Sequence, residues 1–244
     1  MLHDNPTGRS ACLRELVPPQ VPISPWLTAC GLDWSELTRD FPPETVPKGT
    51  VLYWQGGPAD ELFLILSGRA QLECCHSDGK KRTIYVISSG VTVGEAGCLF
   101  HGTRDYQAIT ITECQICRVP APEFRRRVEQ STALAMNVLY IAARKGQILA
   151  HLLVSDGFLD LRARLLQTLL YLAEQYGTET PEGVLLSIRF THQDIADLLG
   201  TSRVAISQSF QELARKGFIQ KQGRFYLLAP RQELEAYLNQ SPSL

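Results

Sequence analysis

The sequence has no apolar run approaching the roughly 20 residues needed to span a bilayer. Its first residues, MLHDNPTGRSACLREL, lack the apolar stretch of a secretory signal. A cytoplasmic protein with no membrane partner is therefore the expectation. Excess charge is also missing: 24 Lys and Arg stand against 25 Asp and Glu, for a net charge of −1. This excludes a globally basic nucleic-acid binder but not a local basic patch. The seven cysteines are odd in number and lack framework spacing, so they read as reduced thiols. No nucleophile–base pattern, P-loop or convincing metal motif is found, so no enzyme is expected. What is present is 244 residues with 44% hydrophobic content, ample for real cores.

Eight of the 14 prolines fall within residues 1–47. Residues 1–46 therefore read as a loop-rich N-terminal segment with one short helix near Leu32–Asp40. From 47 to 128 short β-rich runs (TVLYW, ELFLILSG, AQLECC, RTIYVIS, AITITECQICRV) alternate with glycine turns. That pattern predicts a barrel or jelly roll. Pro122 opens a short helix. A long helix over 129–157 follows, with Ser131 or Thr132 as cap and Asp156–Gly157 as its end. It carries two apolar seams. One is Leu134, Val138, Ile141, Ile148 and Leu152, at coiled-coil offsets interrupted by Lys145. The other is Met136, Leu139, Ala143, Ala150 and Leu153. A helix apolar on two sides packs on its own roll and on a partner, and the first seam is taken as the dimer seam. Residues 158–232 form a last unit of helix, strand, two helices and hairpin, and 233–244 a C-terminal tail.

Within that unit, THQDIADLLGTSRVAISQSFQELARKG (Thr191–Gly217) fits a helix-turn-helix. Thr191 can cap the first helix. Ile195, Leu198 and Leu199 form its buried stripe, with Ala196 small at the crossing. Gly200 sits where the turn needs positive φ, and Ser202 or Thr201 caps the second helix. Ile206, Phe210 and Leu213 anchor it, which leaves Arg203, Ser207, Gln208 and Gln211 outward. Arginine pairs bidentately with guanine and glutamine with adenine in the major groove. Between Thr201 and Arg224 five basic residues face one acid, Glu212, a footprint suited to phosphate. The hairpin FIQKQGRFYLL makes the unit a winged helix, with Lys221 and Arg224 placed for the DNA backbone; Thr191 and His192 at the first helix's start and Ser202 at the second's are further candidate DNA contacts.

Roll, long helix and winged helix in this order resemble the bacterial CRP/FNR superfamily of transcription regulators. The resemblance runs from about Pro47 to Pro230. It is carried by GGPADELFLILSGRAQL (Gly56–Leu72), GVTVGEAGCLFHGTRD (Gly90–Asp105) and THQDIADLLGTSRVAIS (Thr191–Ser207). It implies an α+β chain: a cyclic-nucleotide-binding-like β-roll, a dimerisation helix and a C-terminal winged helix-turn-helix. It further implies a homodimer on a palindromic double-stranded operator, contact with RNA polymerase, and a small effector bound in or near the roll. Asp160 matches the family's hinge aspartate. Gly94, Glu95 and Arg104 match the ribose- and phosphate-binding residues of members that bind cyclic AMP. Asp105, however, stands at the expected serine, and Leu149 and Ala150 at the adenine-contacting Thr-Ser. Cyclic AMP is therefore not the expected effector. In the recognition helix Arg203 matches a base-reading arginine, while Val204 replaces a glutamate, Gln208 an arginine and Ser209 an apolar anchor.

An iron–sulfur site would draw on Cys12, Cys30, Cys114 and Cys117, of which Cys117 matches a cluster ligand of the FNR branch. The N-terminal pair lacks tight spacing, and Cys114 and Cys117, three apart, would face opposite sides of a regular strand. A thiol switch at Cys12 or Cys30, or haem on Cys74–His76 or His101, are further readings; inert buried thiols are the leading one. A signalling module acting through protein contacts competes with the regulator, and the basic recognition helix and wing argue against it.

Overall fold

The computed structural model describes residues 25–240, apart from Cys30 and His101. Cys12, Cys30 and His101 thus lie outside the described residues. Nine strands build a two-layered roll: β1 (Trp26–Leu27), β2 (Glu44–Val46), β3 (Val51–Tyr53), β4 (Glu61–Ser67), β5 (Ala70–Cys75), β6 (Lys81–Ile87), β7 (Val91–Val93), β8 (Gln107–Thr110) and β9 (Cys114–Pro120). Their sheets run β1-β6-β5-β8-β3 and β2-β9-β4-β7. Strand β4 lies between β9 and β7, and Leu62, Phe63, Leu64 and Ile65 are all buried, so it carries no polar face.

Four expectations need correction here. The segment before residue 47 is not only loop: β1 pairs in parallel with β6, and β2 pairs with β9. Its helix, α1, covers only Ser35–Thr38. The run AITITECQICRV is two strands, β8 and β9. The C-terminal stretch is not a tail, because Arg231–Gln240 forms a helix whose Leu234 is buried. Between β7 and β8 the chain also makes a helix, α2 (Glu95–Phe100).

After α3 (Ala121–Gln130) comes α4 (Thr132–Phe158). The Ser131 hydroxyl caps it by accepting from the Leu134 amide at 3.2 Å. Leu134, Val138, Ile141, Ile148 and Leu152 all belong to the roll's core. The seam assigned to dimerisation is therefore the one spent inside the protomer. The other seam faces out, with Met136 45%, Leu139 58% and Leu153 76% exposed. Both seams repeat at 3–4 spacing, so period alone cannot tell them apart. Bulk can: the inward stripe carries the large branched chains, and the outward one has Ala143 and Ala150 at its centre.

The C-terminal unit contains α5 (Leu161–Tyr176), α6 (His192–Leu199), α7 (Arg203–Arg215), α8 (Arg231–Gln240) and a sheet ordered β10-β11-β13-β12. The strands are β10 (Gly177–Thr180), β11 (Gly183–Leu186), β12 (Ile219–Gln222) and β13 (Phe225–Leu228). Asp160 is the N-cap of α5, its carboxylate accepting from Ala163 N at 2.8 Å. This unit is seated on its own roll. The Asp156 carboxylate pairs with Arg82 of β6 at 2.5 Å and with Arg164 of α5. Tyr171 donates to the Trp26 carbonyl. Among the described residues no helix is long and apolar enough to cross a membrane.

Candidate nucleic-acid interface and roll cavity

Helices α6 and α7 meet at a turn that Gly200 makes possible, with φ of 63° in the left-handed region. Thr191 and Asp194 close a capping box: Asp194 N donates to Thr191 Oγ1 at 3.1 Å, and Thr191 N to Asp194 Oδ2 at 2.7 Å. Ser202 caps α7 by accepting from Ala205 N at 3.1 Å. Ile206, Ser209, Phe210 and Leu213 are buried, which turns Arg203, Val204, Gln208 and Gln211 outward. Lys221 and Arg224 are exposed on the β12–β13 hairpin. Glu212 is tied to Arg162 at 2.9 Å.

The hydroxyls of Thr191, Ser202 and Ser207 do structural work, so they are less free than the sequence pattern implies. Ser207 donates to the Arg203 carbonyl at 2.9 Å. Its oxygen must then accept from His192 Nδ1, 2.8 Å away. Nδ1 is therefore the protonated nitrogen of the neutral ring, and Nε2 accepts from the Tyr226 hydroxyl at 3.2 Å. His192 also stacks on Phe210 at 4.5 Å. One imidazole thus ties the first helix, the recognition helix and the wing together. Sequence reasoning placed His192 at the interface but missed this bridge, because Tyr226 lies 34 residues away.

In the roll, Gly94, Glu95, Arg104, Asp105 and Leu149 line one cavity of about 280 Å³, together with Tyr53, Tyr85, Tyr106 and Lys145. Ala150 does not line it; it is exposed on α4's outward face. Arg104 is buried and turned to backbone: Nε donates to Pro58 O at 3.2 Å, one terminal nitrogen to Gly94 O at 2.9 Å, the other to Glu61 O. It also lies 4.2 Å over the Tyr53 ring. A Cβ on Gly94 would stand 2.3 Å from the guanidinium, so this close approach requires glycine. Glu95 is buried and paired with Lys145 Nζ of α4 at 2.5 Å. Lys145 also donates to Thr92 O at 3.0 Å. Glu95 Oε2 has no hydrogen-bond partner among the described residues. Burial pushes the Tyr53 hydroxyl well above its ordinary range. Lys145 was missed as a site residue, although a lone lysine in an apolar stripe implies a buried acid opposite.

Cys114 and Cys117 are both buried, and burial raises both thiols. Cys74 and Cys75 are half-buried. Among the described residues no group of three or more His, Cys, Asp or Glu is gathered for a metal.

Known proteins share this arrangement. The family described as "Cyclic nucleotide-binding domain" matches residues 43–131, and "Crp-like helix-turn-helix domain" matches 163–237. The chain belongs to the CRP/FNR superfamily. It is 25% identical over 198 residues to the "CRP-like cAMP-activated global transcriptional regulator" of Mycobacterium tuberculosis H37Rv, covering 81% of this chain and 88% of that one. To the "cAMP-activated global transcriptional regulator CRP" of Escherichia coli O157:H7 it is 27% identical over 180 residues, covering 73% and 85%. A solved structure of a CooA mutant from Carboxydothermus hydrogenoformans shares the fold, with a TM-score of 0.71, 21% identity, and coverage of 83% and 89%. The chain is thus a CRP-family transcription regulator with a cyclic-nucleotide-binding-type roll and a helix-turn-helix.

The His192 bridge makes a pH dependence. Burial, with Lys221 and Arg203 nearby, holds the imidazole below its ordinary value of 6.5. The fold therefore favours the neutral ring. Its stabilisation is present above about pH 6.5 and is lost as pH falls through 6.5 toward the lower folded value, where the unfolded chain binds the proton first. The urea midpoint should drop between about pH 7 and about pH 5.5, and less so in His192→Gln. Equal drops in the two proteins would count against this account.

Proposed function

We propose that the chain is a homodimeric, sequence-specific DNA-binding regulator whose roll responds to a small effector other than cyclic AMP. The observation that carries this reading is the outward face of α7, where Arg203 and Gln208 stand ready for base edges while Lys221 and Arg224 of the wing flank them for phosphates. The operator is then a palindrome with half-sites about one helical turn, roughly 34 Å, apart. RNA polymerase is the partner expected of a bound regulator. The homodimer is supported by the exposed stripe Met136, Leu139, Ala143, Ala150 and Leu153, whose small central residues allow close helix approach.

Against cyclic AMP stand four features of the cavity. Arg104 spends its donors on carbonyls, Asp105 adds a negative charge beside a phosphate, Lys145 holds Glu95, and Leu149 offers adenine no side-chain hydrogen bond. An unmade buried hydrogen bond costs about 1–3 kcal/mol. Cyclic AMP activation is named for two of the relatives; here the residues favour a different ligand.

Arg203→Ala should cost about 1–3 kcal/mol and relax selectivity at one operator position, read by fluorescence anisotropy on operator variants. Lys221→Ala should weaken all sequences alike and flatten the salt dependence. Unchanged selectivity in Arg203→Ala would mean that α7 does not enter the groove. Wild-type protein should sediment at about twice the chain mass of 27.2 kDa, and Leu139→Asp, folded by circular dichroism, at the chain mass. A wild-type monomer at micromolar concentration would sink the dimer. Titration calorimetry should find no micromolar binding of cyclic AMP; binding in that range that also tightens operator affinity would refute the reading of Arg104 and Asp105.

A further inference from the structure

Recognition helix α7 carries a residue that the reading so far leaves without a task. Val204, its second residue, is 66% exposed. From Leu159 onward it is the one large hydrophobic side chain among the described residues with that much exposure. At 3.6 residues per turn it shares a stripe with Gln208 and Gln211, opposite the buried Ile206, Phe210 and Leu213. Nothing in the protomer's core draws it outward. A β-branched residue also gains nothing in helix propensity there.

In a recognition helix the N-terminal residues reach the base edges. The major groove offers such a side chain one apolar feature, the 5-methyl group of thymine. Against the polar edges of guanine, adenine or cytosine, valine would strip water and return no hydrogen bond, which is unfavourable. We propose that Val204 is a specificity-determining residue that reads a thymine methyl beside the guanine taken by Arg203. Each half-site then carries one thymine recognised by its methyl group. The assignment rests on the DNA-binding reading above and adds to it the base that this residue selects.

Uracil differs from thymine only by that methyl, so it isolates the contact. An operator is first selected from a random duplex library with the full-length wild-type protein. Each thymine is then replaced by uracil, one symmetric pair of positions at a time. Wild type should lose about three- to fivefold per half-site at a single thymine position, the factor expected for one buried methyl group. In V204A, whose substitution touches no core contact, thymine and uracil operators should bind alike at that position. Gln208→Ala should keep the wild-type ratio. The assignment is overturned if no thymine shows the loss in wild type, or if V204A retains it. A selection that returns no preferred sequence overturns the regulator reading itself, and this assignment with it.

Discussion

The structure depends on how α4 lies on the roll. Its inward stripe, from Leu134 to Leu152, is buried in the same core as the strands, so the helix cannot turn about its axis without opening that core. Fixing this face decides everything beyond it. It points the stripe from Met136 to Leu153 away from the protomer. It also delivers Asp156 to the place where roll and DNA-binding unit meet. Core positions of this type cost about 2–5 kcal/mol when cut to alanine, so the choice of face is strongly enforced.

One position on the inward stripe is charged, and the cavity is arranged around it. Lys145 crosses from helix to roll and ends on Glu95 and the Thr92 carbonyl. A buried pair adds little net stability over apolar packing, yet removing one partner strands a charge. A slip of α4 along the roll would part the ammonium from the carboxylate and leave both charges buried without a partner. The cavity at the same spot inherits a polar floor whose charges are already matched, with one carboxylate oxygen left over.

Much of this was legible in the sequence, because the signals were local. Glycine turns and β-rich runs marked the roll, and Thr191, Gly200 and Ser202 marked the helix-turn-helix by residue chemistry that needs no distant partner. What escaped depended on contacts between remote segments. The two seams of α4 have the same period, so offsets alone could not say which one the roll covers; the large branched side chains of the inward stripe were the remaining signal. Strand β1 is two residues long and pairs with β6, some 60 positions away, which no local pattern announces. The burden on His192 and Ser207 was likewise invisible, since their polarity fits a DNA contact as well as a half-buried bridge. Gly94, Glu95 and Arg104, singled out by the resemblance, line one cavity, whereas Lys145 on its wall appeared only as a blemish in an apolar seam.

Strand β1 has a meaning for how the chain holds together. Successive residues of a strand face opposite ways. Leu27 packs into the roll's core while Trp26 packs into the core of the DNA-binding unit, and on β6 Ile87 and Val86 divide in the same manner. Two neighbouring residue pairs thus form a common wall between two interiors. The boundary near Asp160 that a reader would draw along the chain is not a boundary in space. Cutting there would leave the helices of the DNA-binding unit with an open side where Trp26 and Val86 had closed it, so the two halves share one cooperative unit.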